Sequence, residues 1–294
     1  MKPTQTKKEI TPYFEGWYFK QNNGRDTLSF IPSIHRNSSG DRYASLQVIT
    51  ADGSHRLRFP ASQFSADMGR TQIRLGDNIF SSKGCRLKLN RDGLQINGTL
   101  RYGLFTRPKY DIMGPFCAVP ALQCRHSVFS YYHQVDGSVI LNGRSYHFYK
   151  GSGYAEGDRG FSFPKRYLWT QCSWEKNCIM LSIADIPFRR SHFDGCIGSI
   201  ILNRHEYRLA TYLGLKILTV KNDFAAVKQG DLVLTAELLE EKPHPLFAPR
   251  SGEMDRTIHE SVSCTVQYSL YRKGRLIFDL ISDSASFESA WSPE

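Results

Sequence analysis

The sequence predicts an all-β protein built from antiparallel strands. Between residues 261 and 271, apolar and polar side chains alternate as they do in a strand with one buried face. Residues 207–220 carry a similar alternation, and long helical patterns are missing. Asn-Gly and Asp-Gly pairs supply the positive φ angles of type I′ hairpins. Five such pairs are flanked by β-type segments: Asn23-Gly24, Asp52-Gly53, Asp92-Gly93, Asp136-Gly137 and Asn142-Gly143.

The chain is long enough for two such units. It has 294 residues, and domains of roughly 150 residues are usual. A glycine-rich stretch, residues 150–160, lies near the middle and is interpreted as the junction. We therefore predict an N-terminal β-domain over residues 1–150 and a C-terminal β-domain over residues 151–294, each a barrel or sandwich. A few short helices are expected, over residues 62–68 and 284–291.

Basic residues exceed acidic ones, 38 against 28, and the formal net charge is +10. Such a balance favours anionic partners. The positive charge is spread along the chain, however, and its densest groups are the pairs Lys7-Lys8 and Arg189-Arg190. These pairs are too short for a nucleic-acid-binding tail. The sequence thus predicts no nucleic-acid partner and a weak peripheral attraction to anionic membrane surfaces.

Cysteine and histidine spacing argues against disulfide and metal sites. The seven cysteines include no C-x-x-C pair, and the nine histidines form no close pair. Reduced thiols in a cytoplasmic protein are the expected state. The first residues lack the apolar segment of a secretory signal. No segment approaches the roughly 18 to 20 apolar residues that span a bilayer.

Several catalytic signatures are missing. The sequence contains no G-x-x-x-x-G-K-[ST], no H-E-x-x-H and no G-x-S-x-G. Residues 151–157 superficially resemble a dinucleotide fingerprint, but the third glycine comes one residue late and strand patterns follow it. Neither a cofactor nor a metal is therefore predicted.

Three segments are more specific than the rest. They are residues 12–20 (PYFEGWYFK), residues 113–116 (MGPF) with 123–126 (QCRH), and residues 151–164 (GSGYAEGDRGFSFP) with 169–172 (WTQC). In this order the three segments resemble the tocopherol cyclase family and its bacterial relatives. The likeness continues through residues 205–212 and 249–254, so it spans nearly the whole chain.

The resemblance implies a fold of two lipocalin-like antiparallel β-barrels. It also implies an activity, closure of the chromanol ring of tocopherol by addition of a phenol across a prenyl double bond. Arg159 stands where the plant-type motif has an aromatic residue, and Gln123 stands where an acid is common. No transit-peptide-like leader precedes the first motif, so a bacterial relative is expected. The expected partner is an apolar or prenylated small molecule.

Cyclising a prenylated hydroquinone needs an acid, a base and aromatic faces that stabilise a tertiary cation, and it needs no cofactor. The acid is expected to be a carboxyl group whose pKa is raised by an apolar environment. Glu156 is the first candidate and Asp158 the second; the structural alternative pairs either one with Arg159. His126, and less strongly His133, is a candidate for the phenol base, and an ordinary core histidine is the alternative for each.

Substrate-binding residues are expected on the strands that carry these motifs. Alternation places Glu15, Trp17 and Phe19 on one face of a strand, and Tyr18 and Lys20 on the other. For Glu15 the alternative is a structural role at a barrel end. Trp169 and Gln171 also share a face, which would join a cation-stabilising ring to a hydroxyl-binding amide. The predicted binding residues are Glu15, Trp17, Tyr18, Tyr154, Arg159, Trp169 and Gln171.

Three functions are compatible with these observations. The first is a cofactor-independent cyclase, an intramolecular lyase of the isomerase class, acting on a prenylated hydroquinone or a similar apolar aromatic compound. The second is a non-catalytic carrier of an apolar molecule, and the third is hydration of an isoprenoid double bond. A buried carboxyl group in an apolar cavity would favour catalysis, whereas a cavity without carboxyl groups would favour transport.

Overall fold

A computed structural model describes residues 11–67, 72–119, 122–188 and 191–291, which form two antiparallel β-sheets. The first sheet has 11 strands in the order β4-β3-β2-β1-β11-β10-β9-β8-β7-β6-β5. Its strands are β1 (Tyr13–Asn22), β2 (Thr27–Arg36), β3 (Arg42–Thr50), β4 (Gly53–Pro60), β5 (Phe64–Asp67), β6 (Gln72–Leu75), β7 (Asn78–Ser81), β8 (Gly84–Arg91), β9 (Leu94–Tyr102), β10 (Cys124–Leu141) and β11 (Arg144–Gly160).

The second sheet has 10 strands. Its main order is β15-β14-β13-β12-β21-β20-β18-β17-β16, and β19 pairs with β20 outside this order. Its strands are β12 (Tyr167–Trp174), β13 (Asn177–Phe188), β14 (Ser191–Leu202), β15 (His205–Ala210), β16 (Lys216–Val220), β17 (Phe224–Gln229), β18 (Leu232–Glu240), β19 (His244–Arg250), β20 (Glu253–Arg272) and β21 (Arg275–Ser289). Short 3-10 helices span Ala61–Gln63, Gly114–Ala118 and Thr211–Leu213. The predicted all-β antiparallel fold is confirmed.

Turn chemistry explains several hairpins. Asp92 and Asn142 have φ angles of 53° and 47° and precede glycines with φ of 77° and 84°, as type I′ turns require. The pair Asp136-Gly137 does not form the expected hairpin. It lies inside β10, where the register with β11 shifts between Val135 and Gly137, so this glycine accommodates a bulge.

The two predicted helices are wrong where the structure describes them. The first reduces to the 3-10 turn Ala61–Gln63, followed by β5, and Met68 lies outside the described residues. The second is part of β21, which pairs with β12 and β20. Alternate residues of this segment, such as Ala285 and Phe287, pack in the core of the second sheet, and pairing on both sides holds it extended. The pairs Lys7-Lys8 and Arg189-Arg190 also lie outside the described residues.

The glycine-rich stretch is a strand and not a linker. It forms part of β11, which pairs with β1 and β10. A Cβ atom on Gly153 would lie 2.2 Å from the His133 ring, and one on Gly157 would lie 2.7 Å from the Gly16 carbonyl oxygen. Close packing therefore requires these glycines. The boundary predicted at residue 150 falls inside β11, and the chain passes from the first sheet to the second between Gly160 and Tyr167.

Three apolar clusters hold the fold together. One lies within the first sheet around Trp17, Phe19 and Phe80, and one lies within the second sheet around Tyr268. The third combines residues of both sheets, including Tyr18 of β1 and Trp169 of β12. It buries the facing surfaces of the two sheets, and the candidate site lies there. Among the described residues, no helix has the length and apolar character needed to cross a membrane.

Candidate active site

A cavity of about 170 Å³ lies where the two sheets face each other, lined by residues of both. Most of the lining is apolar, and part of it is aromatic, with Phe14, Tyr18, Tyr167 and Trp169 among the rings. Some lining apolar side chains are only partly buried and lie at its edge: Phe116, Leu122, Phe163 and Ile186. The lining also includes two histidines and four carboxyl groups: His35, His126, Glu156, Asp158, Glu260 and Glu288.

Glu156 is buried on β11, opposite Tyr18 of β1. Its Oε2 accepts a hydrogen bond from the Tyr154 hydroxyl at 2.5 Å and another from Trp169 Nε1 at 3.3 Å. The same oxygen lies 3.2 Å from His126 Nε2, an ion pair without the alignment of a hydrogen bond. Three groups that carry hydrogen therefore surround one carboxylate oxygen.

His126, on β10, lies between two carboxylates. Its Nδ1 is 3.0 Å from Asp158 Oδ1, and its Nε2 faces Glu156. Burial alone would lower the pKa of His126, but the charges of Glu156 and Asp158 raise it well above its ordinary value. The two carboxylates therefore favour the protonated imidazole, which hydrogen-bonds to Asp158 through Nδ1 and forms an ion pair with Glu156 at Nε2. Asp158 also accepts a hydrogen bond from the Cys124 thiol at 3.3 Å.

The ligand atoms of His126, Glu156 and Asp158 lie within 4.8 Å of one another, a spacing that a metal ion can use. Both imidazole nitrogens lie within 3.2 Å of carboxylate oxygens, however, and these charges favour the protonated imidazole, whereas metal ligation requires a neutral one. The expected absence of a metal and of a cofactor stays a prediction.

A second acidic pair, Glu260 and Glu288, was not predicted from the sequence. The two residues are directly opposite each other on β20 and β21 and are 2% and 8% exposed. The Tyr18 hydroxyl donates to Glu260 at 2.7 Å, and the Tyr167 hydroxyl donates to Glu288. Burial raises the pKa of Glu260 to about 7 and that of Glu288 to about 8, and neighbouring carboxylates add to the increase.

Aromatic rings connect the two acidic groups. Trp169 donates to Glu156 through its indole and pairs with Glu288 across β12 and β21. The rings of Tyr18 and Trp169 meet edge to face, with centroids 5.7 Å apart. Such rings can stabilise a developing cation through their faces. Of the predicted binding residues, Tyr18 and Trp169 line the cavity.

The other predicted binding residues do not line this cavity. Trp17 packs in the core of the first sheet and stacks on Phe64, because it lies on the face of β1 opposite Tyr18. Glu15 shares that face and accepts a hydrogen bond from the Tyr13 hydroxyl. Arg159 lies opposite Glu15 on the neighbouring strand. Two more residues border a small cleft beside Lys20: Tyr154 and Gln171.

His133 has the environment of a core histidine. It is buried against Tyr102 and Phe105, with ring centroids 4.6 and 4.5 Å away. Its Nδ1 lies 3.1 Å from the Ser130 hydroxyl, and burial lowers its pKa to about 3. This imidazole is packed against the first-sheet core and does not line the cavity, so of the two candidate histidines His126 is the one at the site.

The chain matches no known family profile and no curated protein sequence. Three solved structures share its fold and cover 96% of it. CghA with Sch210972 gives a TM-score of 0.59 at 10% identity over 89% of its length. Kievitone hydratase from Nectria haematococca gives 0.55 at 11% identity over 89% of its length. An AttH protein from Nitrosomonas europaea gives 0.52 at 10% identity over 92% of its length.

These likenesses extend over nearly the whole chain, so the arrangement of both sheets is shared. At 10–11% identity they concern the fold. Membership of the tocopherol cyclase family stays a prediction that depends on the sequence motifs.

Proposed function

We propose that the protein is a cofactor-independent enzyme that moves protons to and from an apolar unsaturated substrate in this cavity. One observation carries the proposal. Four carboxyl groups and a protonated histidine line a cavity whose remaining lining is largely apolar. Burying charged or acidic groups lowers the stability of the fold, and a carrier of apolar molecules has no use for them. Titratable groups with shifted pKa values are typical of catalytic sites.

Within this class we propose ring closure of a prenylated hydroquinone. Protonation of the prenyl double bond gives a tertiary cation, the phenol oxygen bonds to it, and the phenol proton leaves. The product is an isomer of the substrate. The tocopherol cyclase-like motifs support this reaction, and they contribute Tyr18, His126, Glu156 and Trp169 to the site.

The surroundings of Glu156 favour a role different from the donor role expected from the sequence. Tyr154, Trp169 and His126 direct hydrogens at one of its oxygens, and such contacts stabilise an ionised carboxylate. We therefore propose that Glu156 receives the phenol proton, with His126 and Asp158 holding it in place.

The size of the cavity limits the substrate. A cavity of about 150 Å³ binds benzene in another protein, and this one measures about 170 Å³. It therefore suits one aromatic ring with the reacting end of a prenyl group. A longer prenyl chain would extend past the partly buried residues at the edge: Phe116, Leu122, Phe163 and Ile186.

Turnover of a prenylated hydroquinone by the Glu156→Gln variant tests the proposal. Glutamine keeps the shape of the side chain but does not accept the proton, so we expect turnover to fall by ~10²- to 10⁴-fold with little change in substrate binding. Glu253→Gln is the matched control, because Glu253 also accepts a tyrosine hydroxyl, that of Tyr43. Near wild-type turnover in Glu156→Gln would refute the role of this residue.

Two other functions are outcomes of the same assay. In the first, water reacts with the cation in place of the phenol oxygen. Only the fold shared with kievitone hydratase supports this function. It would give a product that contains oxygen from labelled water. A carrier would bind the compound without converting it, and Glu156→Gln would leave that binding unchanged.

A further inference from the structure

We propose that Glu260 and Glu288 form a carboxyl pair that shares a proton at neutral pH, and that this pair is the proton donor of the reaction. The donor role rests on the proposed function, whereas the shared proton does not. Neither residue belongs to the motifs that resemble tocopherol cyclases, and the two are contributed by β20 and β21 of the second sheet.

The geometry of the hairpin brings the two carboxyl groups together. Glu260 and Glu288 are partners across β20 and β21, and the Cβ atoms of such partners are about 4.5–5.5 Å apart. Both side chains are buried and both line the cavity. Two buried carboxyl groups on the same face of neighbouring strands repel each other when both are ionised, so we infer that one proton remains on the pair.

Among the described residues, the cations near this pair direct their hydrogens at other groups, and no ion pair to either glutamate is formed by His126, Lys20 or Arg256. The protonated His126 is already placed between Glu156 and Asp158. Lys20, whose charge acts on Glu260, donates to the Ser284 carbonyl and the Ser286 hydroxyl. Arg256, whose charge acts on Glu288, donates to the carbonyls of residues 164 and 165.

The other titratable groups that act on the pair are two carboxylates and two tyrosines. The charge of Glu156 acts on Glu260, and that of Asp158 acts on Glu288. Both repel a second negative charge and add to the effect of burial. The pKa values of about 7 for Glu260 and about 8 for Glu288 agree with a pair that keeps a proton at neutral pH.

Two tyrosines orient the pair. Tyr18 and Tyr167 donate to the Oε1 atoms of Glu260 and Glu288, respectively. Each tyrosine thus donates to one oxygen of its glutamate, and the proposal places the shared proton on the other oxygens. Trp169 connects the pair to the other acidic group, because its indole donates to Glu156 while its backbone is paired with Glu288.

The proton balance closes over one cycle. An O–H bond of the pair breaks and a C–H bond forms at the prenyl double bond, which leaves a tertiary cation. The phenol oxygen bonds to that carbon, and the phenol proton passes to Glu156. The proton returns from Glu156 to the pair through water after product release, so the substrate is isomerised and the protein is unchanged.

Infrared spectroscopy of the full-length protein tests the shared proton directly. We expect a carbonyl band of a protonated carboxylic acid at about pH 6.5 that fades as the pH rises through about 7 to 8. Glu288→Gln and Glu260→Gln should each remove or shift this band, whereas Glu253→Gln should leave it unchanged. Tyr167→Phe keeps both carboxyl groups and removes a hydrogen bond to Glu288, so the band should persist to higher pH. Absence of the band from the wild type, or its persistence unchanged in Glu288→Gln and Glu260→Gln, would overturn the proposal.

Turnover of a prenylated hydroquinone tests the donor role. We expect the wild-type rate to fall as the pair loses its proton, and the rate of Glu288→Gln to be ~10²- to 10⁴-fold lower at about pH 6.5. If Glu288→Gln and Glu260→Gln turn the substrate over at the wild-type rate, the pair is not the proton donor. That result would leave the proposed function unaffected. If the protein shows the titrating band but converts no prenylated hydroquinone, the proposed ring closure is wrong and the shared proton is still supported.

Discussion

Single side chains in the cavity determine how the protein responds to the loss of a charge. His126 is buried and lies within 3.2 Å of carboxylates on both of its nitrogens. Removing one member of a buried group of charges lowers the free energy of unfolding by more than the intact group contributes to it. The reason is that the remaining charges are left buried without compensation.

The variant His126→Leu should therefore be strongly destabilised. We expect a loss of about 3–5 kcal/mol in the free energy of unfolding at pH 7, measured by urea denaturation, because the buried Glu156 and the partly buried Asp158 would remain without a cation. Adding Asp158→Asn to His126→Leu should recover part of that loss. A stability equal to that of the wild type would show that the imidazole carries no charge.

The pair Glu260 and Glu288 predicts a pH dependence of stability. Unfolded glutamates release their protons near a pKa of about 4.3, whereas the folded pair releases them near 7 and 8. Between these limits the folded state binds more protons, so the free energy of unfolding falls as pH rises. The raised pKa of His126 acts in the same direction above about pH 6.5.

Denaturation at about pH 5.5, 7 and 8.5 measures this effect. We expect a decrease on the order of a few kcal/mol across the series in the wild type and a smaller decrease in Glu288→Gln. The variant Glu253→Gln should keep the slope of the wild type. A wild-type stability that rises with pH would contradict the protonated state of the pair.

Among the residues of the site, the sequence identified those that lie within a motif. Motif blocks led to Glu156, Asp158 and His126, which the structure brings together. Glu260 precedes the alternating segment 261–271, and Glu288 lies in the segment that was predicted as a helix, so the sequence indicated neither their strand pairing nor their burial. Whether an acid on a strand faces water or another sheet depends on packing between distant segments, which alternation alone does not encode.

Strand β11 shows why glycines occur within a central element. Gly153 lies opposite Gln21 of β1 and packs beside the ring of His133, where a Cβ atom would be 2.2 Å away from Nε2. The sequence analysis interpreted the stretch that contains these glycines as a domain junction. Within β11 they allow close approach, and the particular ring that lies above the strand could not be inferred from the sequence.

The substitution Gly153→Ala should cost about 1–3 kcal/mol or more in urea denaturation, since the added methyl group would displace His133. Gly53→Ala is the matched control, because Gly53 also lies in a strand but has no atom within 4 Å of the point where a Cβ atom would be added. Its stability should change by less than about 0.5 kcal/mol. Equal effects of the two substitutions would contradict the close-packing role.

On the scale of the whole molecule, the predicted all-β class followed from alternation and turn residues, and the number of sheets followed from length. The cavity did not follow from either. It needs the Tyr18 hydroxyl of the first sheet and the Glu260 carboxylate of the second within 2.7 Å of each other, and local sequence patterns do not specify which faces of two sheets meet.

The net charge of +10 leads to a prediction for the whole protein. We expect it to sediment with anionic vesicles more than with neutral ones, at about 1 kcal/mol for each basic residue close to the surface. Binding should weaken as salt is raised, because the interaction is electrostatic. Equal sedimentation with both kinds of vesicle would contradict the expected attraction to anionic membranes. The cytoplasmic location stays a prediction.

The hydrogen bond between Tyr18 and Glu260 has a consequence for the order of events during synthesis. The two residues are 242 positions apart in the chain, and contacts of such separation form late because loop closure opposes them. Tyr18 leaves the ribosome early, whereas its acidic partner emerges only after most of the second sheet has been made. An incomplete chain therefore lacks part of the cavity wall, including Glu260 and Glu288, so the cavity and its full set of acids are complete only once both sheets have met.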